Sequence, residues 1–70
     1  MTEVVSPMPG KVIAINVSIG DRIDEDTPVI TLESMKMEVP VFPTDSGKVK
    51  EIMAVVGEVV TKGAIVALLE

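Results

Sequence analysis

No cysteine, histidine, tryptophan or tyrosine occurs in this chain of 70 residues, and phenylalanine occurs once. Without cysteine there is no disulfide staple and no thiolate nucleophile, and without histidine there is no imidazole base, so the usual soft metal sites are missing too. No paired carboxylates or nucleophile–base spacing stand out, and the chain is poorly equipped to be an enzyme by itself. The missing aromatic platforms, with a net charge of −5, argue against nucleic acid, because phosphate neutralisation needs a basic surface and single strands need rings to stack on. Asp21, Asp24, Glu25 and Asp26 concentrate that charge and read as a solvated turn. No apolar run approaches 18 residues and no basic start leads into an apolar segment with a cleavage site, so direct membrane insertion is not expected and a cytoplasmic location is the default.

What remains is branched and aliphatic. Valine and isoleucine supply 20 of the 33 apolar residues, and their stiff side chains favour pleated, half-buried surfaces over helix interiors. A chain this short buries only about 60% of the surface its unfolded form exposes, so a dense β core is required. The expected fold class is all-β.

Shifted by 37 residues, the chain matches itself. Segment 10–33 aligns with 47–70 without a gap at 8 identities in 24 positions: Gly10/Gly47, Lys11/Lys48, Val12/Val49, Ile15/Ile52, Gly20/Gly57, Val29/Val66, Leu32/Leu69 and Glu33/Glu70. Each copy reads as Gly-Lys-Val, an apolar strand, a Gly-acid turn and a closing strand. One copy has too few strands to cover its apolar side, so the two should pack around one core as a single domain over 1–70 with a quasi-two-fold axis. Gly10, Gly20, Gly47, Gly57 and Gly63 are expected at turns, and Asp26, where the second copy has Gly63, would tolerate a left-handed conformation. Strands are expected near Lys11–Val17, Val29–Glu33, Val39–Phe42, Lys48–Ala54 and Ile65–Leu69, with short pairing segments near Val4 and Val59. Charged Lys50 and Glu51 between Val49 and Ile52 break strict alternation, which a bulge in the second copy would restore.

The connection between the copies holds "ESMKMEVP", residues 33–40. Propensity alone favours a helical start here, with Ser34 as cap. Val39 precedes Pro40 and is pushed towards extended backbone, leaving about one turn, too short to persist. A tight reversal centred on Met35 and Lys36 instead lets the flanking β-rich runs pair, although the Asn-Gly or Asp-Gly signal is absent. Lys36 would then project into water, with Met35 and Met37 either forming a pliable apolar surface beside it or capping the end of the core. Lys11, Lys48, Lys50 and Lys62 read as solubilising charges.

These residues resemble the biotinyl domains of biotin carboxyl carrier proteins, in the biotin/lipoyl attachment family, where a Met-Lys-Met triplet occupies a hairpin tip. "PMPGKV" (7–12), "GDRI" (20–23), "SGKV" (46–49) and "GEVVTKG" (57–63) resemble its other landmarks, so the likeness covers essentially the whole chain. It implies a barrel-sandwich hybrid, a flattened β-barrel of two four-stranded antiparallel sheets. Lys36 would carry covalent biotin, attached by biotin protein ligase, and would shuttle a carboxyl group between biotin carboxylase and carboxyltransferase. Glu33, Ser34, Met35, Met37 and Glu38 would be read by the ligase or those partners. Ser34 stands where the family usually has alanine and Asp26 where a turn glycine is common. No protruding thumb and no long Pro/Ala-rich linker is present, so the chain would be either a free-standing carrier or a domain of a longer polypeptide. Two rivals share the scaffold: a lipoyl carrier, which usually has Asp-Lys-Ala at the tip, and an unmodified sandwich-hybrid adaptor, which needs no exposed lysine.

Overall fold

The computed structural model describes all 70 residues. Branched side chains dictate its content: eight strands and no helix, hence no helix long and apolar enough to cross a membrane. The strands are β1 (Thr2–Val5), β2 (Gly10–Ile15), β3 (Arg22–Ile23), β4 (Ile30–Ser34), β5 (Met37–Val41), β6 (Gly47–Ile52), β7 (Val59–Val60) and β8 (Ile65–Leu69). They form two four-stranded sheets, ordered β1-β8-β6-β3 and β5-β4-β2-β7, and all pairings are antiparallel. The fold class is the one expected. The short strand β3 is additional, although the expectation of pairing near Val59, moved back by 37 residues, lands on Arg22.

Each sheet takes two strands from each half of the chain: β1 and β3 join β6 and β8, while β5 and β7 join β2 and β4. The halves are therefore interleaved rather than stacked. The hydrophobic core shows the same offset, since its fourteen residues are the seven pairs Val4/Val41, Val12/Val49, Val17/Ala54, Ile23/Val60, Val29/Val66, Ile30/Ala67 and Leu32/Leu69. Val4/Val41 lies outside the segments that the sequence match covers.

A register shift occurs between Val49 and Glu51 against β8, as the broken alternation suggested, and an equivalent one between Val12 and Ala14 against β4. Ile13 hides its bulge in sequence because it is itself apolar, whereas charged Lys50 betrays its own.

The glycines divide into two kinds. Gly20, Gly57 and Gly63 have φ of 98°, 95° and 86°, as expected for turn positions. Gly10 and Gly47 do not occupy turns; they open β2 and β6. Their constraint is close approach: a Cβ on Gly10 would stand 3.1 Å from the Glu33 carbonyl oxygen, and one on Gly47 2.9 Å from that of Glu70. Asp26 is not left-handed either, since Met35 and Lys36 are the only non-glycine residues with positive φ. Its turn is held instead by Asp24, whose Oδ1 accepts from the Asp26 N–H at 2.9 Å and the Thr27 hydroxyl at 3.1 Å, a side-chain substitute for the left-handed glycine.

Candidate functional site

The helical turn that propensity favours over Glu33–Glu38 does not form. β4 and β5 pair from Ile30↔Val41 to Ser34↔Met37, leaving Met35 and Lys36 as a two-residue loop. Their φ values of 53° and 66° are the pattern of a type I′ turn, whose twist matches that of the strands it joins. Asparagine and glycine adopt this backbone readily; methionine and lysine do so at a cost of about 1–3 kcal/mol each. The hairpin is fixed from below: Ile30 and Leu32 are buried, Val41 is buried and Val39 half-buried opposite them. A one-residue slip of β5 against β4 would turn Val39 and Val41 to water, so the strands hold the register and the apex bears the strain.

At the apex Lys36 is exposed. Met35 is 92% exposed and Met37 64%, so neither methionine caps the core. The side-chain hydrogen bonds of the molecule lie in other turns, at Ser6, Asp21 and Asp24, and between Asn16 and Thr31 of β4, and none of these reaches the tip. Apolar side chains held in water on a strained turn are poor choices for folding alone, and they frame the lysine with soft, adaptable surface.

Immediately below, Glu33 and Glu38 face each other across β4 and β5, both exposed on the outer side. Like charges in direct cross-strand opposition are unfavourable. Lys11, expected only as a solubilising charge, is the partner of Glu33 on the other side and offsets part of that repulsion. Ser34 is partly buried at the closing pair of the hairpin, opposite Met37. The structure thus brings Glu33, Ser34, Met35, Lys36, Met37 and Glu38 together. Of the five glycines, Gly10 approaches this group, packing against Glu33 and Leu32, and Gly63 bonds through its N–H to the Ser6 carbonyl in the neighbouring segment. Gly20, Gly47 and Gly57 lie elsewhere and shape the scaffold.

No pocket indents the surface. The arrangement presents one primary amine on a stiff, two-stranded stalk, which is the geometry of a group acted on by another protein's site.

The family model described as "Biotin-requiring enzyme" matches residues 2–69. The chain is 41% identical over 56 residues to the biotin/lipoyl attachment protein of Bacillus subtilis (strain 168), covering 80% of this chain and 77% of that protein. It is 39% identical over 56 residues to the mitochondrial methylcrotonoyl-CoA carboxylase subunit alpha of Dictyostelium discoideum, covering 80% of this chain and 8% of that one. Among solved structures, the urea carboxylase of Kluyveromyces lactis matches with a TM-score of 0.91 at 32% identity, covering 97% of this chain and 6% of that chain. This chain therefore spans less than a tenth of the length of the carboxylases it resembles.

Proposed function

The chain belongs to the biotin/lipoyl family of biotin-requiring enzymes, and we propose that it is a biotin carboxyl carrier whose covalent biotin is held on Lys36. The observation that carries this reading is the apex itself: an exposed lysine between two exposed methionines, on a turn the strands force into left-handed backbone. The residues fit the group. Lys36 offers an amine free of protein partners in the apex, and a biotin acid joined to it would extend from the tip rather than into the core.

Attachment requires the neutral amine, so a biotin protein ligase has to remove a proton from the Lys36 ammonium. The Nζ lone pair then attacks the acyl carbon of an acyl-adenylate; the C–N amide bond forms, the C–O bond to AMP breaks, and the second nitrogen proton leaves with a base of the ligase. Lys36 loses its charge in the process, taking the net charge from −5 to one unit lower. Bound biotin supplies a ureido nitrogen able to take up and give away a carboxyl group, chemistry that no side chain here offers. The β scaffold keeps the stalk rigid, which limits the entropy lost at each docking, and tethering keeps the group at high effective concentration between a biotin carboxylase and a carboxyltransferase. Met35 favours biotin over lipoyl chemistry because it places apolar surface where lipoyl carriers usually place a carboxylate, and Met37 extends that surface where they usually have alanine.

Intact mass after incubation with biotin protein ligase, biotin and ATP tests the assignment. A single biotinyl increment mapped to Lys36 and lost in Lys36→Arg is the expected result. An unchanged mass with active ligase would leave the adaptor reading, and a lipoyl increment from lipoyl ligase in its place would leave the lipoyl one. Met35→Asp with Met37→Ala should weaken biotinylation or open the tip to the lipoyl ligase.

A further inference from the structure

The two halves of this molecule meet throughout its interior and are joined by one short connection. Strands β1 to β4 make up the first half and β5 to β8 the second. Four of the six strand pairings run between the halves, namely β1 with β8, β2 with β7, β3 with β6 and β4 with β5. The core takes seven residues from each half. A half therefore completes its sheets only with the other half, and a second copy of the chain offers that half in identical form. Within one chain the link between them is Met35-Lys36, the strained turn at the apex. A short connection under strain invites the exchange of identical elements between copies.

The register of the hairpin allows that exchange without a slip. Pairing runs from Ile30↔Val41 through Thr31↔Pro40, Leu32↔Val39 and Glu33↔Glu38 to Ser34↔Met37, and the next step of the same ladder is Met35 opposite Lys36. Inside one chain this pair cannot form, because its members are bonded neighbours and have to turn back, with φ of 53° and 66°. Between two chains it can. Where β4 runs straight on into β5, the β4 of each copy meets the β5 of the other in the native register, and Met35 of each comes opposite Lys36 of the other. Every native pairing is kept, the ladder gains two pairs, and Met35 and Lys36 of both chains leave left-handed backbone for the extended region.

We propose that this chain forms a domain-swapped dimer with a second copy of itself by opening the turn at Met35-Lys36, and that the dimer withholds Lys36 from acylation; the second part rests on Lys36 being the biotin acceptor, and the first does not. Each body of the dimer consists of residues 1–34 of one copy and 37–70 of the other. Both lysines leave the apex for the middle of a two-stranded ribbon with a body at either end. A ligase that takes in a protruding turn meets a straight ladder there instead. Because the halves are interleaved, exchange requires unfolding, so the two forms are set when the chain folds and interconvert slowly afterwards.

Sedimentation after refolding from denaturant over a range of protein concentrations tests the exchange. A dimer with the circular dichroism of the monomer is expected at high concentration. Met35→Val, branched and therefore disfavoured at positive φ but suited to a strand, should lower its dissociation constant about tenfold. Met35→Asn, which accepts that φ, should raise it about tenfold, since the change enters once for each chain. Met35 is 92% exposed, so neither substitution disturbs the core. Monomer alone at every concentration, or a dimer indifferent to both substitutions, overturns the proposal. The chain has no cysteine, so linkage reads the exchange directly. Glu33→Cys and Glu38→Cys chains refolded together should give a dimer that oxidation links from position 33 to position 38. Links from 33 to 33 should be absent, because those positions lie about 17 Å apart along the ribbon; links in all combinations would mark an unswapped contact and overturn the exchange. With the unaltered protein, biotin protein ligase should acylate the isolated dimer about tenfold or more slowly than the isolated monomer, as displacement of the acceptor from its productive geometry requires. Equal rates would overturn the withholding of Lys36. A monomer that takes no biotin from active ligase would instead defeat the acceptor assignment, and with it the second part of the proposal, while the swapped dimer would still be read by sedimentation and linkage.

Discussion

Two consecutive side-chain-bearing residues in left-handed backbone concentrate strain at the one place where the chain also exposes a lysine and two methionines. Met35 has φ of 53°, at a position where asparagine is among the preferred residues of a type I′ turn. Met35→Asn should therefore raise stability by about 1 kcal/mol in urea denaturation, while making Lys36 a poorer acceptor. Met37→Asn, at a residue in the ordinary strand region, should bring no such gain. The combination of greater stability with weaker acylation would show that the apex is shaped for recognition at the expense of the fold. Equal or lower stability of Met35→Asn would remove the strain argument.

Among the elements, the β4–β5 hairpin is the one whose surface works against its own pairing. Glu33 and Glu38 are directly opposed, and opposite charges in their place would be worth about 0.5 kcal/mol. Glu38→Lys should stabilise the chain by that order, and the gain should shrink as salt is raised from low ionic strength to about 1 M, because both groups are exposed. A gain independent of salt would point to a packing effect instead. β5 also carries Pro40 at the outer edge of its sheet, where a missing N–H leaves no ladder bond unmade and blunts the edge against further pairing. The proline that made an extended connection legible in sequence thus serves the sheet as well.

At the scale of the whole molecule, interleaving decides what can fold. Every four-stranded sheet contains strands from both halves, and each half contributes one member of every core pair. A fragment ending at Lys36 would hold β1 to β4 without the partners of β1 and β3, leaving unpaired edges and half a core. Its expected behaviour is an unfolded chain by circular dichroism with unprotected amides in hydrogen exchange. Mixing it with residues 37–70 should restore protection in β2, β4, β6 and β8, the strands flanked on both sides. Protection in either fragment alone would show that one half carries a sufficient core.

Periodicity, branched residues and the offset of 37 made the all-β class, the paired sheets and the reversal at Met35-Lys36 readable from the chain alone, because alternation and turn-flanking patterns are local consequences of side-chain chemistry. The short strand β3, the hidden bulge at Ile13 and the close approach of Gly10 to Glu33 were not, since each depends on a partner distant in sequence; the Asp24 turn is local, and it was missed because the side chain of Asp24 does the work that the offset assigned to the backbone of Asp26. Dependence on distant partners holds for the site as well. A lysine between methionines announces itself, but only the register of three strands places Lys11, Glu33 and Glu38 in one row, and only burial reveals that Met35 and Met37 stand in water. Composition and pattern determined which residues could face a core; long-range pairing decided which surface residues meet, because contact across a sheet is fixed by hydrogen-bond register and not by proximity along the chain.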